Sequence, residues 1–278
     1  MSKTELSVIF ITKNEEFHIG NAIDNVKDFA EAVFVVDSGS TDRTVEIAKA
    51  KGAQVLFHPF EGFGAQWNWA LDNCPVKSAW TMKMDPDERL TDELKKEIVE
   101  ELHSNKFDVF NLGWIPYFMG RRLKVRSIYV TRIWRTGQAH FGNNSVNEHL
   151  HADGRVHNLR NRMLHYDSKD LDTWVAKQNM YSTREAEMRF SHGEMAASPK
   201  FFGSTIERRM WLKKYFYCVP CRSLLEFLYC YIVLGAWKSG AAGFYWAQMR
   251  VFVSRLVALK WKEMQWRAKG DERLRKGD

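Results

Sequence analysis

The chain has 278 residues, 45% of them hydrophobic and 27% charged, enough apolar material for one large domain or a domain with an appended subdomain, and this excludes a disordered chain. Its net charge of +7 is uneven: residues 1–199 hold 25 Lys+Arg against 28 Asp+Glu, a net of −3, whereas residues 200–278 hold 16 against 6, a net of +10. With eleven tryptophans, many of them late in the chain, the basic tail suggests an anionic surface, either phospholipid or nucleic acid, with a solvated helical face as the other reading.

In chain order, Leu6–Thr12 is a short apolar run rich in β-branched residues, which predicts a strand buried on both faces. It stops at Lys13-Asn14-Glu15-Glu16, where apolar spacing through Ile19, Ala22, Ile23 and Val26 predicts a helix. Ala32–Val36 repeats the strand pattern and ends in Asp37-Ser-Gly-Ser-Thr41; Ser40 or Thr41 can cap the next helix, and Gly52 is placed to end it. Gln54–His58 reads as a third strand, Phe63–Asp72 as a helix and Ala79–Met84 as a fourth strand. This alternation predicts a mostly parallel α/β sheet with flanking helices. From about Asp170 the sequence is helix-compatible, with Trp174, Lys177, Tyr181, Arg184 and Ala186 in amphipathic arrangement. Later, the apolar core Phe227–Trp237 is 11 residues, well short of the roughly 20 needed to span a bilayer. Four cysteines and no apolar leader argue against a disulfide framework and for a reducing, cytoplasmic setting. Cys218 and Cys221 lack a second pair for a zinc site and read as structural thiols.

Asn14, Asp37 and Asp85 all fall just past the C-terminal ends of predicted strands, the edge where open α/β sheets bind ligands. Gly39 lets the chain turn sharply after Asp37, whose carboxylate can accept from a base N–H or a ribose hydroxyl. Neither a Gly-x-Gly-x-x-Gly fingerprint nor a Gly-Lys-Ser/Thr phosphate loop is present. In Asp85-Pro-Asp-Glu88 two carboxylates stand one residue apart, and such groups repel unless a cation sits between them. Hard oxygen ligands at a strand end favour Mg2+ or Mn2+. The spacing alone fits an ordinary turn equally well.

Three segments, Ser7-Val-Ile-Phe-Ile-Thr-Lys-Asn-Glu15, Val35-Val-Asp-Ser-Gly-Ser-Thr-Asp42 and Met84-Asp-Pro-Asp-Glu88, resemble in order and separation the inverting, nucleotide-sugar-dependent glycosyltransferases of family 2, which have the GT-A fold. Gly-Phe-Gly-Ala-Gln (62–66), Asn-Glu-His-Leu (147–150) and His-Tyr (165–166) are similar to the bacterial lipopolysaccharide-core β-glucosyltransferases. The resemblance implies a nucleoside site lined by Thr12, Lys13, Asn14 and Glu15, a uracil contact at Asp37, and donor contacts at Gln66, Asn68 and Asp85. It implies a divalent metal held by Asp85 and Asp87, with His165 as third ligand or diphosphate contact, a buried hydrogen-bonded histidine being the other reading. Ser38 departs from the family, where many relatives carry a second aspartate, and so does Trp67, where relatives often carry a basic residue.

Inverting transfer needs a carboxylate to take the proton of the acceptor hydroxyl. The resemblance places Glu148 there, after the loop Gly142-Asn-Asn144, with His149 beside it at the acceptor. Arg132 and Arg135 can meet an anionic acceptor or simply flank a strand. The expected organisation is a catalytic domain over 1–199 (donor half about 1–110, acceptor half about 111–199) and a basic helical extension over 200–278 that meets the membrane or a second subunit. The expected activity is metal-dependent transfer of a hexose, glucose by resemblance, from a UDP-sugar to a lipopolysaccharide-core or other lipid-linked acceptor at the cytoplasmic membrane surface. Transfer to polyprenyl phosphate is an alternative. A GT-A-like nucleotidyltransferase would carry a Gly-x-Gly-Thr-Arg segment that Thr12–Glu15 does not match, and a nucleic-acid module is disfavoured by the net acidic N-terminal part.

Overall fold

In the computed structural model, which describes residues 3–142, 150–191, 200, 202–203, 207–208 and 221–276, the first apolar run forms strand β1 (Thr4–Thr12). Its residues alternate between two layers: Leu6, Val8 and Phe10 join one hydrophobic cluster and Ile9 the other, which is why the run is nearly unbroken. The chain divides into two compact units, Met1–Arg122 with Ser127–Lys169, and Leu123–Arg126 with Asp170–Asp278.

In the first unit, strands β2 (Ala30–Asp37), β3 (Gln54–Phe57), β4 (Trp80–Met84), β5 (Glu88–Arg89), β6 (Val109–Phe118), β8 (Tyr129–Arg135) and β11 (Val156–His165) join β1 in the order β3-β2-β1-β4-β8-β6-β11-β5, with β7 (Arg121–Arg122) paired to β6. The first four are mutually parallel; β8 runs against both β4 and β6, β11 is parallel to β6, and β5 is antiparallel to β11. All but β8 and β5 along that path therefore share one direction among the described residues, the open, mostly parallel sheet expected of a GT-A-like domain. A separate pair, β9 (Ala139–Phe141) and β10 (Leu150–Ala152), is antiparallel.

Helices cover both faces. Helix α1 (Ile19–Val26) buries Ile19, Ala22, Ile23 and Val26, the predicted stripe, against the first cluster, joined by Leu94, Ile98 and Leu102 of α4 (Asp92–Ser104). Helix α3 (Phe63–Asn73) inserts Trp67 and Ala70 into the second cluster beside Phe141. Helix α2 (Thr44–Ala50) begins later than Ser40 or Thr41 would cap it: Asp42 accepts from the Thr44 N–H at 2.9 Å, while Ser40 and Thr41 bond to Asn14 across the neighbouring loop. Gly52 (φ +87°) does end it, a conformation cheap only for glycine.

The second unit begins with α5 (Leu171–Phe190), whose first turn is capped by Asp170 accepting from the Thr173 N–H at 2.8 Å. It continues with α6 (Arg222–Leu228), a π-helical turn Tyr229–Val233, a 3-10 turn Ala236–Ser239 and the long α7 (Gly240–Lys276). The Lys260 ammonium of α7 donates to the α5 groups Asn179 Oδ1 (2.6 Å), Ser182 Oγ (2.9 Å) and Thr183 Oγ1 (2.7 Å), tying the two helices together. Because α5 pairs with α7, the two compact units divide at Lys169. No helix among the described residues is long and apolar enough to cross a membrane.

One polar clamp fixes the chain just after the acidic turn. Asn25 of α1 donates from Nδ2 to the Leu90 carbonyl (3.0 Å) and accepts the Leu90 N–H on Oδ1 (2.8 Å), substituting for a missing neighbouring strand. Asn25→Ala leaves both backbone groups without these partners and should lower unfolding free energy by about 1–3 kcal/mol, measured by urea denaturation.

Candidate active site at the C-terminal strand ends

The loops after β1 and β2 are laced together. Asp37, paired with Thr12 in the parallel register, accepts on Oδ2 from the Gly39 and Ser40 N–H groups (both 2.9 Å) and on Oδ1 from the Thr12 and Ser40 hydroxyls (3.2 and 2.5 Å). Gly39 (φ +84°) makes that tight return possible. Asn14, itself left-handed (φ +56°), donates its N–H to Ser40 Oγ and accepts the Thr41 N–H at 2.8 Å each, and Glu15 N–H reaches Thr44 Oγ1 at 2.7 Å. Lys13 is exposed above this lattice. The structure thus gathers Thr12, Lys13, Asn14, Glu15 and Asp37 at one edge.

Strand β4 delivers the acidic turn to the same edge. Glu88 N–H closes it onto the Asp85 carbonyl (3.0 Å), and the Asp85 N–H donates back to Glu88 Oε2 (2.9 Å). Strand β5 then pairs Glu88 with His165 and Arg89 with Leu164, and the Tyr166 N–H reaches the Asp87 carbonyl at 2.8 Å. Two segments far apart in sequence are thereby locked so that His165 Nε2 stands 3.5 Å from Asp87 Oδ2. Burial opposes a charged imidazole here, but the hydrogen bond and charge of Asp87 outweigh it, and the His165 pKa is pushed up to about 9.

Beneath this lies a buried ionic network. Arg132 of β8, 4% exposed, donates from Nη2 to Asp85 Oδ2 at 2.8 Å and also to Glu88 Oε1, a carboxylate with no exposed surface. Trp114 of β6 donates its indole N–H to the same Glu88 oxygen (2.8 Å), lies under the Arg132 guanidinium (5.5 Å) and stacks on His165 (5.4 Å between ring centres). Burial is the largest influence on Glu88 and, with the neighbouring aspartates, raises its pKa to about 7 against the pull of Arg132. Burial also raises Asp85, yet Arg132 and Lys83 together hold it below the ordinary carboxylate value.

Several expected site residues stand elsewhere than the sequence reading placed them. Arg132 is not an acceptor-facing cation: its charge is spent inside the protein, because two carboxylates would otherwise be buried without a counter-ion. Arg135 pairs in register with Trp80 at the opposite end of β4 from Asp85, lies 3.9 Å over the Trp80 ring and donates to Asn105 Oδ1, so it too is removed from the acidic edge. Asn68 spends both amide atoms on the Phe141 backbone (2.9 and 2.8 Å), holding β9 to α3. Gln66 is buried, donating to Ser38 Oγ at 3.0 Å and contacting His58 Nδ1 at 2.8 Å. Glu148 and His149 lie outside the described residues, as does Cys218.

Asp87, His165 and Asp167 can each turn one ligand atom to within 4.8 Å of the others. Two carboxylates and an imidazole fit a divalent ion of the Mg2+/Mn2+ kind; Asp85, drawn to Arg132, stands outside that trio. Asp167 escaped the sequence reading although it follows His165 by only two residues, because lone aspartates after a strand are common. Lys83 escaped it as well: on β4, its ammonium sits 4.5 Å over Trp67 and 5.0 Å over Phe141. Trp114 carried no signal in the sequence.

Residues 7–226 match the family model described as glycosyl transferase family 2. The chain belongs to that family. It is 29% identical over 93% of its length to the lipopolysaccharide core biosynthesis glycosyltransferase LpsC of Rhizobium meliloti, covering 92% of that protein. It is 32% identical over 77% of its length to an uncharacterized glycosyltransferase of Rickettsia bellii, covering 76% of it. Among solved structures, Staphylococcus aureus TarS superposes with a TM-score of 0.43 at 17% identity, over 88% of this chain and 55% of that one.

Removing the Arg132 charge leaves Glu88 and Asp85 without their counter-ion. Arg132→Met should lower unfolding free energy by about 3–5 kcal/mol, read from denaturant midpoints, whereas Arg135→Met at the far sheet edge should cost under about 1 kcal/mol.

Proposed function

We propose that this family 2 glycosyltransferase is an inverting hexosyltransferase that moves glucose from a UDP-sugar to a lipopolysaccharide-core or other lipid-linked saccharide, working peripherally at the cytoplasmic face of the membrane. The observation that carries the reading is the acidic turn of β4, held at the same edge as Asp37 and with Asp87 set against His165. The name of the Rhizobium meliloti relative, which matches along nearly the whole chain, supports a lipopolysaccharide-core acceptor.

In this reading the acceptor hydroxyl attacks the anomeric carbon, the bond from that carbon to the diphosphate oxygen breaks, and UDP departs. Asp87, His165 and Asp167 would hold the divalent ion, which supplies positive charge to the leaving diphosphate. Asp85, aimed by Arg132, faces the donor beside that trio, while Asp37 and Thr12 receive the uracil. Glu148 takes the proton of the acceptor hydroxyl.

The two roles separate by measurement. Asp87→Ala should abolish Mn2+-dependent UDP binding in calorimetry and lower turnover at least about 100-fold; normal turnover would remove Asp87 as a ligand. Glu148→Gln should bind UDP-glucose as the parent does but transfer about 10²–10⁴-fold more slowly, and an active Gln variant would rule out Glu148 as the base.

A further inference from the structure

The helical segment Arg222–Val233 is apolar on two sides. One side packs inward: Phe227 stacks on Tyr231 at 5.4 Å and meets Phe244 of α7 edge-on at 5.5 Å, and Cys230 is buried. The other side carries Leu225, Leu228, Tyr229, Ile232 and Val233, spaced i, i+3, i+4, i+7 and i+8, and continues to Trp237; these six are 39–59% exposed. A helix that is apolar all round belongs in a covered position, and a contiguous exposed stripe of this kind marks an interaction surface.

What lies beside the stripe identifies the cover. The short segment Leu123–Arg126, which belongs to this unit rather than to the sheet around it in sequence, runs along the turn that ends the stripe: the Lys124 N–H donates to Ser239 Oγ at 2.7 Å and the Arg126 N–H to the Leu234 carbonyl at 2.8 Å. Leu123 and Val125 are buried by this pairing, which turns Lys124 and Arg126 outward. Lys238 is exposed next to Trp237, its ammonium 5.6 Å from that ring. Among the described residues none of these three cations is ion-paired, and the carboxylate within the segment, Glu226, faces Arg222 at 3.9 Å. Apolar and aromatic side chains edged by unneutralised cations complement an anionic lipid surface, whose headgroups take the charge while the acyl boundary takes the stripe. The segment is too short to cross a bilayer.

We infer that this protein docks on anionic phospholipid through one edge, the stripe Leu225–Trp237 together with Lys124, Arg126 and Lys238. The inference rests on the peripheral placement proposed above and narrows it: the contact lies in the 222–239 region and recruits two cations from the middle of the chain, not from the basic tail.

The test is sedimentation of the full chain with phosphatidylcholine vesicles and with mixed phosphatidylglycerol–phosphatidylcholine vesicles. The parent should bind the mixed vesicles more tightly. Lys124→Ala with Arg126→Ala should weaken binding to the mixed vesicles about 10- to 30-fold, a difference that high salt erases. Ile232→Ser with Trp237→Ser should weaken binding to both kinds at least about tenfold, whatever the salt. UDP-glucose hydrolysis should be unchanged in both double variants, which separates this contact from the transferase chemistry. If the parent binds and both double variants bind equally well, this edge is overturned while peripheral placement stands. A parent that ignores vesicles overturns both. A dimer that Ile232→Ser with Trp237→Ser dissolves, with vesicle binding intact, makes the stripe a subunit interface and overturns the inference.

Discussion

The site depends on one buried charge. Arg132 enters from β8 with its guanidinium out of water, and the two carboxylates it meets, Asp85 and Glu88, come from a turn that would spring apart by mutual repulsion. Desolvating an arginine is costly, and the cost is recovered only when hydrogen-bonded anions surround it. Trp114 completes the arrangement by donating to Glu88 and supporting both the guanidinium and the His165 ring. Geometry at the Asp85–Asp87 turn is therefore set from below, by groups that need never touch a substrate.

This division of labour explains why three carboxylates in four residues have different fates. Glu88, wholly enclosed, is structural and its pKa is raised by burial. Asp85 is half-exposed and kept ionised by Arg132 and Lys83. Asp87 turns to His165, whose pKa its hydrogen bond and charge raise, and Asp167 stands close by. A local repulsion is resolved by distributing the three among a buried cation, a strand end and an imidazole. The parallel strands make this possible, because β1, β2 and β4 end side by side and their loops share one edge.

The second unit follows a different logic. Its helices are tied together by Lys260 and by stacked rings, and the apolar side left over in the 222–233 segment is edged with cations drawn from Lys124 and Arg126. In the proposed lipid contact the headgroups would meet those cations and the acyl boundary the apolar stripe.

Local pattern determined much of this protein. The β-branched runs gave β1, β2 and β4, because strands buried on both faces need continuous apolar residues, and the 3.6 period gave α1. The positions of Asn14, Asp37 and Asp85 at one edge followed from strand direction alone. Tertiary structure decided the rest. Which charge neutralises which is a matter of distance through space: Arg132 meets Asp85 and Glu88 only because β8 lies against β4. Pairing between β5 and β11 put His165 and Asp167 beside Asp87, a neighbourhood some 80 residues long in sequence and one hydrogen-bonded step across in the sheet. Backbone preferences are local and can be read in order; long-range electrostatic partners exist only after the chain has folded.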